Sequence, residues 1–133
     1  MAISRFGVSL EENLLTALDN FVKENKFANR SQALRYLIEK NLVEKKWQCD
    51  RIVAGAIVLL YNHHKKDLST KLTDIQHDFH EVILATQHFH LDEGNCMEIV
   101  SIKGPAHTLT ELSDLLISIK GIKYGKLVMS QAD

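Results

Sequence analysis

The stretch VILATQHFHLDEGNCMEIVSI, residues 82–102, contains two apolar segments on either side of a polar turn. Residues 82–91 and 96–102 have the length and the β-branched and aromatic content that are typical of strands. The acidic and glycine-containing residues 92–95 between them are typical of a turn. The stretch therefore predicts a β-hairpin. Two histidines and a cysteine lie in the same hairpin, so it also carries the most distinctive chemistry of the chain.

The segments around this hairpin complete an α+β pattern. Residues 52–61 are almost continuously apolar, as expected for a strand buried on both faces. A helix is predicted next, because one helical stripe contains Leu68, Leu72, Ile75 and Phe79. A second helix is predicted after Pro105, and residues 122–129 form a last strand. The order βαββαβ is ferredoxin-like, with helices covering one sheet face and the other face expected to pack against another copy.

The two histidines of the hairpin share one face of their strand. His88 and His90 are two residues apart, so both imidazoles project in the same direction. A three-residue loop with Gly94 in the left-handed conformation would pair His90 with Cys96. It would also pair His88 with Glu98. A loop of two or four residues would turn Cys96 to the opposite face, so the common face depends on loop length.

A further histidine lies on the predicted helix before the hairpin. His77 is nine residues after Leu68, about 180° around the helix from the apolar stripe. If the stripe packs on its own sheet, His77 is free to reach a neighbouring chain rather than His88 and Cys96 of its own. We therefore predict a metal site that bridges subunits, with three imidazoles and one thiolate. These donors suit Ni²⁺, Cu²⁺, Zn²⁺ or Co²⁺, and four protein ligands leave no position for a catalytic water, which favours a sensor over an enzyme.

The N-terminal segment predicts a strand followed by two helices. In RFGVSL, residues 5–10, apolar and polar residues alternate. Two helical stripes follow, separated by the polar residues 23–26. Asn29 can cap the second helix, and Gln32 completes a box-like start. Arg30 and Ser31 lie in the first turn of this helix, where free backbone amides attract an anion such as phosphate.

A single strand and two short helices cannot bury this much apolar surface, and the strand has no partner within the unit. Two copies of residues 5–10 would pair antiparallel and present Arg5 and Ser9 on a two-stranded ribbon that fits the major groove of DNA. The R-x-x-V-S-L strand, the leucine-rich first helix and the N-R-S opening of residues 29–31 resemble the ribbon-helix-helix family. The alternative reading is a helical dimerisation cap with no role in DNA binding.

Composition and charge are consistent with two small units. The chain has 133 residues, of which 45% are hydrophobic, and it contains no apolar run of the roughly 18 residues that a membrane span needs. Without an apolar signal segment, and with two cysteines, we expect a cytoplasmic protein with free thiols. Residues 1–48 carry eight basic and six acidic residues, and residues 49–133 carry eight and eleven. We place the domain boundary between them.

The whole chain resembles the nickel-responsive transcriptional regulators, in which a ribbon-helix-helix domain precedes an ACT-like domain. The specific signal is H-x10-H-x-H-x5-C, which His77, His88, His90 and Cys96 match. The resemblance implies a square-planar Ni²⁺ site, one per chain, with the first histidine from one subunit and the other three ligands from its neighbour. It also implies a homotetramer that binds double-stranded operator DNA and represses nickel uptake genes.

The same resemblance assigns supporting roles to other residues. It implies that Lys65 and Lys66 contact the DNA backbone. It also implies that three residues contact the metal ligands without binding the metal themselves: Gln76, Glu98 and Tyr61. His63 and His64 match the place where some relatives hold auxiliary metal ligands, and the plainer alternative, which we favour, is a pair of solvated loop histidines. Gly7 departs from the pattern, because relatives usually have a base-contacting side chain at this position of the ribbon.

Two other functions remain open at the level of sequence. One is an ACT-type small-molecule sensor in which the histidines are incidental, and the other is a metal-binding protein that does not touch DNA. We assign no ligand role to His80 or His107, because lone histidines are more often structural. Cys49 is interpreted as a partly exposed thiol, and Trp47 as an anchor between the two domains.

Overall fold

The computed structural model describes residues 2–133. The chain divides into two compact units, Met1–Asn41 and Leu42–Asp133. This division falls within the helix Arg30–Gln48, whereas the sequence predicts a domain boundary after residue 48, where that helix ends. Among the described residues, no helix combines the length and apolarity needed to cross a membrane.

The first unit contains helix α1 (Glu12–Glu24) and the start of helix α2 (Arg30–Gln48), in agreement with the two predicted helices. Asn29 caps α2, because its Oδ1 accepts a hydrogen bond from the Gln32 N–H at 2.9 Å. The Gln32 side chain accepts from the Ala28 N–H, one residue before the position that a capping box would use. Lys26 in the connection adopts a left-handed φ of 57°, which turns the chain between the helices.

The apolar surface of this unit is largely uncovered in the single chain. No residue of α1 is buried, and Phe6 and Val8 are 78% and 62% exposed. Residues 2–11 form no strand, which differs from the strand predicted over residues 5–10. The physical reason is that a strand requires a hydrogen-bonded neighbour, and the predicted neighbour belongs to a second copy.

The second unit has the predicted βαββαβ order. Its elements are β1 (Ile52–Asn62), α3 (Lys66–Asp78), a 3₁₀ turn (His80–Val82), β2 (Ile83–His90), β3 (Asn95–Pro105), α4 (Ala106–Ile117) and β4 (Ile122–Met129). The four strands form one antiparallel sheet in the order β2-β3-β1-β4. This arrangement confirms the predicted α+β class and places β1 and β3 at the centre of the sheet.

The core lies on one face of this sheet. Alternate residues of β1 and β3 are buried, and the side chains between them are partly exposed. The buried face is covered by leucines of both helices: Leu68 and Leu72 of α3, and Leu109, Leu112 and Leu116 of α4. The prediction that residues 52–61 are buried on both faces is therefore wrong for the single chain, because helices cover only one side.

Trp47 closes one end of this core. The indole ring is 4% exposed, and its Nε1 donates a hydrogen bond to the Ser130 carbonyl at 2.8 Å. A Cβ on Gly55 would lie 3.2 Å from the ring and 2.5 Å from the Val128 carbonyl, so only glycine allows this approach. Trp47 thus fixes the C-terminal end of α2 within the second unit.

Candidate metal centre

The register of the β2–β3 hairpin brings the predicted donors to one face. His90 pairs with Cys96 and His88 pairs with Glu98. The Leu91 N–H donates to the Asn95 carbonyl at 2.9 Å, which closes a three-residue loop. The predicted loop length is therefore confirmed. Because successive side chains alternate across a sheet, both imidazoles and the thiol share the face that α3 covers.

The loop achieves this length in a way that the sequence did not predict. Gly94 does not have a left-handed φ, since Gly121 alone among the described glycines has a positive value. Instead, Asp92 Oδ1 accepts hydrogen bonds from the N–H groups of Gly94 and Asn95 at 2.9 and 2.8 Å. The Asn95 side chain donates to Asp92 Oδ2 at 3.0 Å. A side-chain cap thus replaces the glycine conformation that we expected.

These bonds also affect the protonation of Asp92. Hydrogen bonds from the side chain and backbone of Asn95 lower the pKa of Asp92 to about 2. The pKa of Asp92 is lower in the folded protein than its ordinary value of 3.8 in the unfolded chain. Ionised Asp92 therefore stabilises the fold at pH values above 3.8. This stabilisation is lost as the pH falls through about 2.

We predict that Asp92→Ala destabilises the hairpin at neutral pH, because two loop amides lose their acceptor. The difference in unfolding free energy between wild type and variant should shrink as the pH falls from 4 towards 2. Urea unfolding of both proteins over this pH range measures the difference. A difference that does not change with pH would contradict the role of the carboxylate charge.

Cys96 and His88 are adjacent across the hairpin. The Cys96 thiol is buried, with 2% of the residue exposed, and its Sγ lies 4.0 Å from His88 Nδ1. The His88 side chain is 56% exposed, so the imidazole is accessible from outside the chain. A buried sulfur beside an open imidazole is an arrangement in which a metal can approach the pair from solvent.

Glu98 is the centre of a hydrogen-bond network behind these donors. This carboxylate is 1% exposed and accepts hydrogen bonds from the Tyr61 hydroxyl at 2.7 Å and from the Gln76 amide. His88 Nδ1 lies 3.2 Å from Glu98 Oε1. Burial raises the pKa of Tyr61 strongly, and the neighbouring Glu98 raises it further, so the phenol stays protonated and donates.

Gln76 connects this network to helix α3. Its amide nitrogen donates to Glu98, and its Oε1 accepts a hydrogen bond from the Thr86 hydroxyl at 3.1 Å. Strands β2 and β3 are thereby both joined to α3 at the turn that contains His77. The orientation of this turn consequently depends on the side chains beside the candidate ligands.

His77 is exposed, as predicted from its place opposite the apolar stripe of α3. It also borders an open cavity of about 370 Å³ that His88 and Glu98 line from the strand side. Within residues 2–133, however, no three His, Cys, Asp or Glu side chains are close enough together to hold a metal ion. In the described part of the single chain, His88, His90 and Cys96 thus share a sheet face without forming a three-ligand group.

The two auxiliary candidates lie at the open end of the sheet. The ring centroid of His63 is 4.2 Å from that of His64 and 5.0 Å from that of His90. His63 Nδ1 is buried and has no hydrogen-bond partner among the described residues. Burial and the neighbouring His64 lower the pKa of His63, which favours the neutral imidazole that binds metals.

The candidate DNA contacts are exposed. Arg5, Ser9 and Ser31 are all open to solvent, and a Cβ on Gly7 would meet nothing within 4 Å. Arg30 is also exposed, but its guanidinium donates hydrogen bonds to both carboxylate oxygens of Asp19. The sequence did not indicate this pairing.

Lys65 and Lys66 lie at the start of α3 and line a concavity of about 410 Å³. Lys71 and Lys120 line the same concavity, so its lining contains four lysines and one carboxylate, Asp67. Sequence reasoning identified the adjacent pair and missed the other two. Lys71 is five residues after Lys66 on α3, and Lys120 lies in a distant segment of the chain. Neither position produces a sequence pattern that predicts a shared surface.

Comparisons with known proteins give concordant results. Residues 54–130 match the profile of the NikR C terminal nickel binding domain. A protein of Syntrophus aciditrophicus named "Putative nickel-responsive regulator" is 52% identical over 128 residues, which cover 96% of this chain and 93% of that protein. A protein of the same name from Chlorobaculum tepidum is 46% identical, with 97% and 96% covered.

Solved structures with low sequence identity share the fold of the second unit. The ACT domain of a GTP pyrophosphokinase from Chlorobium tepidum superposes with a TM-score of 0.50 at 18% identity, covering 58% of this chain and 99% of that domain. An uncharacterized protein of Thermotoga maritima gives 0.54 at 20% identity, with 59% and 98% covered. Both likenesses concern the fold alone, and the likeness to the ACT domain confirms its ACT-like character.

Proposed function

The chain belongs to the family of nickel-responsive regulators, and from this membership we propose that it binds operator DNA in response to nickel. The family consists of regulators, so the chain is not an enzyme, and its second unit is a nickel-binding domain. The single observation that carries the proposal is the hairpin register, which brings His88, His90 and Cys96 to one sheet face. We further propose repression of nickel uptake genes as the outcome.

The proposed ligands are His77, His88, His90 and Cys96, with one Ni²⁺ per chain. Two imidazoles and a thiol on one face fit the donor preference of this metal. When bound, the metal would join these donors and hold the segments that carry them in one arrangement. Cys96 must lose its proton to act as a ligand, so nickel affinity should fall as the pH falls.

We propose that His77 comes from a neighbouring subunit. His77 lies on the side of α3 opposite the buried Leu68 and Leu72, and it is exposed, as is His88. A second copy of the chain could therefore bring its His77 to these donors. The partly exposed second face of the sheet, together with exposed Phe89 and Tyr124, offers surface for a homotetramer.

The Glu98 network suggests how the metal site influences the rest of the molecule. Glu98 contacts His88, and Gln76 transmits any shift of Glu98 to the last turns of α3. At its other end, α3 starts at Lys66, directly after Lys65. Nickel must bind more tightly to the DNA-competent arrangement than to the others, because an effector with equal affinity for both shifts nothing.

We predict that Glu98→Ala lowers nickel affinity while leaving all four ligands in place. Groups that orient metal ligands from outside contribute about 10–100-fold to metal affinity. Removal of Glu98 frees His88 and detaches Gln76, so a loss in this range is expected. Competition with a nickel-binding dye measures it, and Glu111→Ala on the exposed face of α4 is the control. Equal affinity of Glu98→Ala and wild type would contradict this role.

For DNA, we propose that Arg5 and Ser9 on a ribbon of two chains contact bases. Gly7 leaves a gap in that reading surface, because it has no side chain. Arg30, Ser31 and the lysine pair Lys65–Lys66 would contact the phosphate backbone. Contacts of this kind release counterions, so affinity should fall steeply as salt rises. With these roles we also propose a cytoplasmic location, where the operator would be accessible.

His63 and His64 are proposed as auxiliary ligands that share His90. The basis is the closeness of the His63 ring to the rings of His64 and His90, and the His63 Nδ1 that has no hydrogen-bond partner among the described residues. His90 would then serve either this group or the group with Cys96, but not both at once. The auxiliary position is accordingly proposed as transient.

The experiment that tests the function is a titration of Ni²⁺ into the full-length protein with a labelled fragment of DNA from upstream of its own gene. The expected result is a mobility shift that appears with nickel and is weakened by Arg5→Ala. Nickel binding without any DNA shift would identify a metal-binding protein of another kind. A shift that does not depend on nickel would refute nickel-dependent DNA binding.

A further inference from the structure

Asp19 and Arg30 form a bidentate ion pair between the two helices of the first unit. Arg30 Nε donates to Asp19 Oδ1 at 2.7 Å, and Nη2 donates to Oδ2 at 2.9 Å. The two side chains are 57% and 46% exposed for Arg30 and Asp19, respectively. Two parallel N–H···O bonds fix the plane of a guanidinium as well as its position. Arg30 is thus held in one orientation at the surface.

Arg30 is held at a place that attracts anions. It is the first residue of α2, and exposed Ser31 follows it in the first turn. Asn29 already satisfies the Gln32 N–H, so the amides that precede Gln32 are the ones left for an external acceptor. The helix dipole adds partial positive charge at the same end.

The pair leaves donors free for such an acceptor. A guanidinium has five N–H groups, and Asp19 accepts from two of them. The two groups on Nη1 and the remaining one on Nη2 lie on the edges that Asp19 does not cover. Resting on the DNA binding proposed above, we infer that Asp19 is a positioning residue, which orients Arg30 so that these groups donate to a DNA phosphate.

Asp19 also has an opposing effect, because its negative charge repels the phosphate. This repulsion acts through solvent between exposed groups, and salt screens it over a Debye length of about 8 Å at physiological ionic strength. The orientation of Arg30 depends on short contacts that salt screens much less. Orientation should therefore dominate at physiological salt, and repulsion should regain weight at low salt.

The test measures operator affinity of the nickel-loaded, full-length protein by fluorescence anisotropy at several salt concentrations. We expect Asp19→Asn to weaken binding about 3–10-fold at physiological salt, because a free arginine loses more rotamer freedom on binding. The loss should be smaller at low salt. Asp19→Glu should recover part of the affinity, and Asp19→Asn should no longer weaken binding in an Arg30→Gln background.

Glu24→Gln provides the matched control, because it removes one carboxylate charge from the same helix and should not weaken binding. Equal effects of Asp19→Asn and Glu24→Gln would overturn the inference, as would a loss that persists without Arg30. Tighter binding by Asp19→Asn at physiological salt would also overturn it. If nickel-loaded wild type binds no operator, the proposed function itself fails, whereas normal wild-type binding with an unchanged Asp19→Asn variant refutes only the role of Asp19.

Discussion

Replacement of Cys96 by alanine should lower nickel affinity by more than about 100-fold, because outer groups alone contribute about 10–100-fold and a direct ligand contributes more. The thiol is buried beside His88, on the sheet face that carries the histidines. Nickel-dependent DNA binding should disappear with it. Absorption by the nickel–thiolate bond provides a direct measurement, since it should be present in wild type and absent in Cys96→Ala.

The chain contains its own control for this experiment. Cys49 is a second free cysteine, and it is exposed and lies outside the hairpin. Cys49→Ala should retain both the nickel–thiolate absorption and nickel-dependent DNA binding. If Cys96→Ala retains the absorption, or if Cys49→Ala loses it, the assignment of Cys96 as the sulfur ligand is wrong.

Trp47→Ala should destabilise the second unit by about 3–5 kcal/mol, the range found when large buried aromatic residues are truncated. The indole fills the space above Gly55 and donates a hydrogen bond to the Ser130 carbonyl. The alanine variant leaves this space empty and the carbonyl without its donor. Trp47→Phe should cost less, because it keeps an aromatic ring in the core. Both effects concern folding and should appear in the metal-free protein.

Urea unfolding at a fixed protein concentration measures these changes, because oligomerisation makes apparent stability depend on concentration. Trp47 is the single tryptophan of the chain, so circular dichroism rather than fluorescence must follow the transition. Glu111→Ala on the exposed face of α4 should remain within about 0.5 kcal/mol of wild type. A loss below about 1 kcal/mol for Trp47→Ala would contradict the anchoring role.

The sequence predicted the hairpin register correctly because strand geometry has a strict period of two. The positions of His88, His90 and Cys96 then left few ways to bring the donors to one face. The conformation of the loop was predicted wrongly, because both a left-handed glycine and an acidic cap can close three residues. Asp92 and Gly94 each favour a turn. Only the structure shows that the Asp92 side chain, and not a left-handed Gly94, closes this loop.

Features that depend on packing between elements were harder to predict. The predicted strand over residues 5–10 would need a hydrogen-bonded neighbour from a second chain, and burial of the second face of β1 would need a partner. The Asp19–Arg30 pair and the bond between Thr86 and Gln76 join elements whose relative placement has no sequence period. Gln76 and Glu98, by contrast, were identified from the family resemblance.

The central claim is that the nickel site forms between chains, and mixing two defective variants tests it most directly. His77→Ala and Cys96→Ala chains with different affinity tags are unfolded, mixed, refolded together and purified through both tags. Each variant alone should show no nickel–thiolate absorption. In the mixed oligomers, the intact His77 of one chain meets the intact Cys96 of the other, so the absorption should return. Mixed oligomers that still lack it would contradict a site shared between subunits.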